Sequence, residues 1–396
     1  MELDFLGQIY ACTMNKNHLG TFSISVCLKE EVQPQILQQA VKDLVKRLPF
    51  LSGRLRPDFL YELLIEPPQV ELENSSLPIF TDYYNEGHGH VLRVVYGKQY
   101  FKVEASHIIT DGRGLSKITN GLLVRYFELM GLEVDKGDII DCTSNLQSEE
   151  IEDASERFAN SKKVAPKNKS SKIAAYKHGH LRFAPTRVIS KKFDLEKIKF
   201  NAKAHGITVS EYILAHIFSA IAEERNASGS KKPIVAEVPI DNRSFFPSKT
   251  IRNFVGNKKV VMPETEDFSF MAQQIRSQFA SVDTDFIQDI INEMQNAKKN
   301  LGRLPRLIRK FVIKIVNHQM IKTTTTMFSN LGLVKLPKEI EERIDMLEFL
   351  ISPTEGLPYT FSCIAVGNVL TLSITVDLEG NDTIENIFKR IEEDNT

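Results

Sequence analysis

The 396-residue sequence is short of the features that mark several large functional classes. Cysteine is scarce: Cys12, Cys27, Cys142 and Cys363 stand far apart, with no CxxC pair and no histidine at zinc-ligand spacing. That argues against a zinc ribbon, a disulfide scaffold or a dithiol redox motif, and reduced thiols with no metal are expected. Charge of one sign is also missing, since 50 Lys and Arg meet 51 Asp and Glu. Nucleic-acid readers usually carry a strong basic excess, so no nucleic-acid partner is expected. No window approaches the roughly 18 apolar residues that a membrane span needs. The start, Met1-Glu2-Leu3-Asp4, lacks the basic-then-apolar order of a signal peptide. A cytoplasmic protein without an integral membrane segment is expected.

What the chain does hold is a globular share of apolar residues, 42%, over a length that suggests two domains. Thr21–Leu28 alternates apolar and polar residues and predicts a half-buried strand. Ile36, Leu37, Ala40, Val41, Leu44, Val45 and Leu48 recur at helical spacing behind Pro34, which suits a first turn. Gln99–Ala105 alternates again, a polar loop Ser106–Arg113 follows, and a helix is expected from about Gly114. Between Ser144 and Ser171 the chain turns first acidic, then basic, and loses its large apolar residues, as a linker does. Strand and helix patterns then recur loosely. The expectation is an α/β (α+β) fold of two similar lobes, each a mixed sheet flanked by helices. Residues 1–150 form the first lobe, 151–175 the linker and 176–396 the second lobe.

The informative segment is Ala105-Ser106-His107-Ile108-Ile109-Thr110-Asp111-Gly112, which holds an HxxxDG pattern where a strand gives way to a loop. An imidazole there, with an ordinary pKa near 6.5, suits general-base work. A hydrogen-bonded loop histidine followed by an Asp-Gly turn is the plainer alternative. No GxSxG elbow is present and no cysteine neighbours the motif, so nothing marks an enzyme nucleophile.

HxxxDG resembles the core of the HHxxxDG signature of the chloramphenicol-acetyltransferase-like superfamily. That group includes carnitine acyltransferases, plant BAHD enzymes and the condensation domains of nonribosomal peptide synthetases. Three further stretches are similar to its bacterial alcohol acetyltransferase-like branch: Leu28–Arg56, Pro239–Asn257 (PIDNRSFFPSKTIRNFVGN) and Thr326–Pro337 (TMFSNLGLVKLP). The resemblance implies an active-site tunnel between the lobes and acyl transfer from a thioester to an alcohol or amine. Acyl-CoA, or acyl-phosphopantetheine on an acyl carrier protein, would be the co-substrate, with no tightly bound cofactor. His107 would be the base, Asp111 beside Gly112 would pair with Arg243, and Ser329 and Asn330 would approach the site from the second lobe. Ser329 would donate to the developing oxyanion, although a turn at the end of a strand explains Ser329-Asn330-Leu331-Gly332 equally well. Asn253–Asn257 corresponds to a block that is structural in plant relatives. Ser106 replaces the first histidine of the signature, which keeps a catalytically silent binding protein of the same fold as an alternative. A carrier-dependent condensation-type enzyme is the other.

Finally, Arg306–Met320 sets Leu307, Ile308, Phe311, Val312, Ile315 and Val316 on one face, with Arg306, Arg309, Lys310 and Lys314 mainly on the other. The simplest expectation is a surface helix packed on its own lobe with its charged face in water. Binding donor phosphates, docking an acidic carrier protein and resting on a membrane are the alternatives.

Overall fold

The computed structural model describes residues 2–56, 61–64, 66–73, 79–83, 90–160, 174–178, 183–265, 267–354, 356–380 and 382–394. The chain opens with helix α1 (Phe5–Thr13), started by Asp4, whose carboxylate accepts from the Gly7 amide at 2.7 Å. There follow β1 (Thr21–Leu28), α2 (Pro34–Arg47) and a small hairpin of β2 (Gly53–Leu55) and β3 (Tyr61–Leu63). Next come β4 (Val70–Leu72), β5 (Leu92–Tyr96), β6 (Tyr100–Ser106), α3 (Gly112–Leu129) and a single turn α4 (Ala154–Arg157).

The second half runs β7 (Phe183–Asp194), α5 (Leu195–Ala204), α6 (Val209–Ala227), β8 (Ile234–Asp241) and β9 (Val255–Met262). It continues through α7 (Phe268–Phe279), α8 (Thr284–Gly302), α9 (Arg306–Lys322), β10 (Thr326–Val334) and α10 (Lys338–Glu341). It ends with β11 (Ile344–Ile351), β12 (Tyr359–Val366), β13 (Val369–Leu378) and α11 (Asp382–Asp394). Capping chemistry fixes several of these starts: Thr208 and Glu211 form a reciprocal capping box on α6, and Asp194 caps α5.

The strands make two mixed sheets, in the orders β11-β1-β6-β5-β4 and β7-β13-β12-β10-β8-β9. Each sheet has its own apolar core, one built around Ile24, Val103 and Leu122, the other around Ile217, Phe361 and Ile374. The two-lobed α/β expectation therefore holds. The boundaries drawn on the sequence do not describe every strand, because β11 belongs by chain position to residues 176–396 yet pairs antiparallel with β1 in the first sheet. It also bonds to the second sheet: the Ser362 hydroxyl donates to the Phe349 carbonyl and Thr360 Oγ1 to the Ile351 carbonyl at 2.9 Å.

This crossing strand corrects a second expectation. β1 is buried on both faces rather than half-buried, since it lies between β11 and β6 and its serine face is covered. The expected linker is also partly structured. Ala154 is buried in a small cluster with Phe254, Ile287 and Ile291, while residues 161–173 lie outside the described residues.

Helix α9 departs most from expectation. It packs against α1, an element of the first half of the chain. The row it buries there is centred on Ile313, with Asn317 and Ile321 half-buried, whereas Leu307, Phe311 and Val316 are 83%, 64% and 63% exposed. A helix carrying apolar residues on most of its circumference offers more than one face to pack, and periodicity alone does not choose between them.

Candidate active site

Strand β6 delivers His107 to a sharp loop, and Asp111 closes that loop by capping α3. Asp111 Oδ1 accepts from the Gly114 amide at 2.8 Å. Its Oδ2 accepts from the Phe254 amide at 2.7 Å and from Arg243 Nη1 at 3.0 Å. Burial alone would raise this carboxyl, but the Arg243 guanidinium and the two amides hold it below its ordinary range. Arg243 spends its other donors on Asp241 and on the Thr250 and Arg252 carbonyls, at 2.9, 3.0 and 2.6 Å. The ion pair thus ties the histidine loop to residues 250–254. Gly114 permits this approach, since a Cβ there would fall 2.2 Å from the Ile251 carbonyl oxygen.

Segment 250–254 brings Asn253 to the histidine. Asn253 Nδ2 donates to the His107 carbonyl at 3.1 Å and faces both oxygens of the buried Asp4 carboxyl at 3.2 and 3.3 Å. With the amide nitrogen committed to these acceptors, Asn253 Oδ1 faces His107 Nδ1 at 3.0 Å as an acceptor. Nδ1 therefore carries the proton, and Nε2 is the free basic nitrogen. Burial holds the imidazole below its ordinary range, opposed by the Asp111 charge, the Asn253 bond and nearby backbone. At neutral pH the His107 ring is uncharged.

The ring is also fixed by packing. Tyr10 stacks on it at 4.1 Å between centroids and 10° between planes, and Phe22 meets it edge-on at 4.7 Å. Behind Tyr10 lies His18, whose Nδ1 is 2.9 Å from Thr354 Oγ1 and whose pKa burial lowers to about 4. A cavity of about 120 Å³ runs past these groups, lined by Tyr10, His18, His107, Asp111 and Gly112 together with Pro239, Met327, Ser329 and Thr360 from the second sheet. It shares His18 and Thr354 with a wider opening of about 510 Å³, lined among the described residues by Lys177, His178, Lys314, His318 and Lys322.

No family profile and no curated protein matches the sequence. Solved structures do. Polyketide synthase associated protein 5 from Mycobacterium tuberculosis superposes with a TM-score of 0.65 at 14% identity, covering 99% of this chain and 96% of that one. The TRI101 protein of F. sporotrichioides, crystallised with coenzyme A and T-2, gives 0.61 at 13% identity, covering 98% and 96%. The EpoB cyclization-docking bidomain from Sorangium cellulosum gives 0.59 at 13%, covering 99% and 84%. The chain shares the fold of these structures over nearly its whole length.

On this fold the structure gathers His107, Asp111, Gly112 and Ser329 at one cavity and sets Arg243 behind the loop. Asn330 engages Ser210 at 2.9 Å and closes its own turn onto the Gly332 amide at 2.7 Å. A Cβ at Gly112 would come 3.0 Å from Leu331 Cδ2 and 3.3 Å from Phe349 Cζ and so would crowd these two side chains. Ser106 is buried, with its hydroxyl 3.9 Å from Met14 Sδ, and is not beside the imidazole nitrogens. Asn253, read as structural from the sequence, contacts the imidazole directly, and Tyr10, His18 and Asp4 were not singled out. Each is remote in sequence from the motif and carries no spacing signal of its own.

Proposed function

We propose that the chain transfers an acyl group from a thioester donor, an acyl-CoA, to a hydroxyl or amine acceptor with His107 as general base. The observation that carries this is the Asn253–His107 contact, in which Asn253 Oδ1 accepts from Nδ1–H and leaves Nε2 as the basic nitrogen of a ring lining the cavity. In the step, Nε2 takes the acceptor proton as the acceptor oxygen or nitrogen bonds to the thioester carbonyl carbon. The C–S bond then breaks, and the imidazolium returns the proton to the departing thiolate. Ser329, in the same cavity, would donate a hydrogen bond to the carbonyl oxygen as it gains charge. Asp111 would not take part in proton transfer, since both its oxygens are occupied by Gly114, Phe254 and Arg243.

The test is a panel of acyl-CoA donors and simple alcohols and amines scored for thiol release, with wild type beside His107→Ala. Loss of roughly a hundredfold to ten-thousandfold in rate is expected of the variant. A folded variant that keeps half the wild-type turnover would remove His107 from the chemistry.

A further inference from the structure

Four rows of residues, each spaced i, i+4, run along α9. Arg309, Ile313, Asn317 and Ile321 make the row turned inward. Beside it lie Ile308, Val312, Val316 and Met320, then Leu307, Phe311 and Ile315, and all but the half-buried Val312 are exposed. The last row in the sequence is Arg306, Lys310, Lys314, His318 and Lys322, of which the last three are exposed. Two adjacent apolar rows, running from Leu307 to Met320, make a ridge about 20 Å long. Elsewhere among the described residues the large exposed apolar side chains, such as Leu63, Phe200 and Leu333, are dispersed along the chain. A continuous bare ridge of this kind marks an interaction site.

Charge identifies the partner. The sequence holds no Asp or Glu between Glu293 and Glu339, while Arg303, Arg309, Lys310, Lys314 and Lys322 all fall there. In a chain whose charges balance overall, this is a local cationic excess around the ridge. A second copy docked ridge to ridge would bring two such excesses together. An acidic carrier protein would answer the cations and leave the length of the apolar ridge uncovered. A bilayer surface with anionic headgroups answers both, taking the apolar rows to the acyl-chain boundary and the cations to the phosphates. No helix among the described residues is long and apolar enough to cross a membrane, so α9 would lie in the interface plane.

We infer that α9 docks the protein on an anionic lipid surface through Leu307, Ile308, Phe311 and Ile315. Because Lys314, His318 and Lys322 also line the wider opening next to the His107 cavity, docking turns that opening toward the bilayer. This consequence for substrate access rests on the proposed acyl transfer, whereas the docking itself does not.

The test is flotation of the purified full chain with vesicles of phosphatidylcholine alone or of equal parts phosphatidylcholine and phosphatidylglycerol. Binding is expected to the anionic vesicles, weakening as salt rises. Phe311→Glu should lower partitioning at least about tenfold, from loss of one buried aromatic ring, with the circular dichroism spectrum unchanged. Wild type that stays unbound at low salt overturns the inference, as does flotation indifferent to Phe311→Glu. A dimer, or a complex with an acidic carrier protein, that needs Phe311 while vesicles go unbound overturns it too. Transfer to a water-soluble acceptor should survive Phe311→Glu. Wild type that floats but transfers no acyl group from any donor would sink the proposed activity and leave the docking surface standing.

Discussion

The histidine loop and helix α9 use the same materials in opposite ways. Around His107 four chain segments converge, every oxygen of Asp111 is spent on a donor, and aromatic rings clamp the imidazole. Along α9 one helix stands on α1 through its Ile313 row, while Leu307, Ile308, Phe311, Ile315 and Val316 face water and Lys314, His318 and Lys322 are exposed in the row beside them. The first arrangement fixes a geometry that chemistry can use, because a buried and fully bonded group has nowhere else to go. The second fixes little and leaves apolar area unspent, which folding alone does not explain. Perturbing each region should therefore fail differently, the loop through stability and rate together and the helix through neither.

The sharpest break falls on the Asp111–Arg243 pair. Arg243→Ala leaves a buried carboxylate without its main counter-charge and should cost about 3–5 kcal/mol, with activity falling in step. A double-mutant cycle with Asp111→Asn, read from denaturant midpoints, should show strong coupling. Additive losses would mean that the pair does not hold the loop.

Asn253 comes next. Asn253→Ala removes the acceptor for His107 Nδ1 and frees the ring to take the other tautomer, so a rate loss of about a hundredfold is expected from misorientation. Its melting temperature should drop less than that of Arg243→Ala. A kcat unchanged by the substitution, with the protein folded, would show that another group sets the tautomer.

The difference between the regions also explains what the sequence made legible. HxxxDG was readable because its signals are local: an alternating strand over Gln99–Ala105 that gives way to a polar loop, with a helix expected beyond it. The pairing with Arg243 could be expected from resemblance alone, since nothing in the spacing links residues 132 positions apart. Asn253, Asp4, Tyr10 and His18 reach the imidazole only through the topology, as does β11, whose move into the first sheet has no local mark. For α9 the periodicity was clear and the burial was not. Amphipathicity reports that a face is apolar, but whether anything covers it depends on neighbours elsewhere in the chain.

Proton balance gives a finer comparison. Burial lowers the His107 pKa below 6.5, so the base should remain active at pH values where an exposed histidine is already protonated. The acid limb of kcat/KM should then have its midpoint below pH 6.5, and the limb should move in Asn253→Ala. The sign for stability is the same. A histidine whose folded pKa is depressed binds its proton more readily when unfolded, so stability is lost as pH falls through 6.5 toward the folded value. An acid limb centred at or above 6.5 would mean that the ring is solvated during the proposed transfer.

The smallest effect is expected at Ser106, and it tests the loop from within. This serine is adjacent to His107 and fully buried, but its hydroxyl makes only long contacts, 3.9 Å to Met14 Sδ and 3.5 Å from the Ile108 amide. Neighbours at the end of a strand point to opposite faces, so the hydroxyl and the imidazole do not form a nucleophile–base couple. Ser106→Ala should cost no more than about 1 kcal/mol, since no strong hydrogen bond is broken. Turnover should stay within about twofold, because the proposed general base does not act through this hydroxyl. Mass spectrometry of wild type incubated with donor alone should find the chain unmodified, and reciprocal plots at several acceptor concentrations should intersect. An acyl adduct on Ser106, with parallel lines and a collapse of turnover in the alanine variant, would make the mechanism covalent. His107 would then serve that serine instead of the acceptor, and the buried loop would be holding a nucleophile.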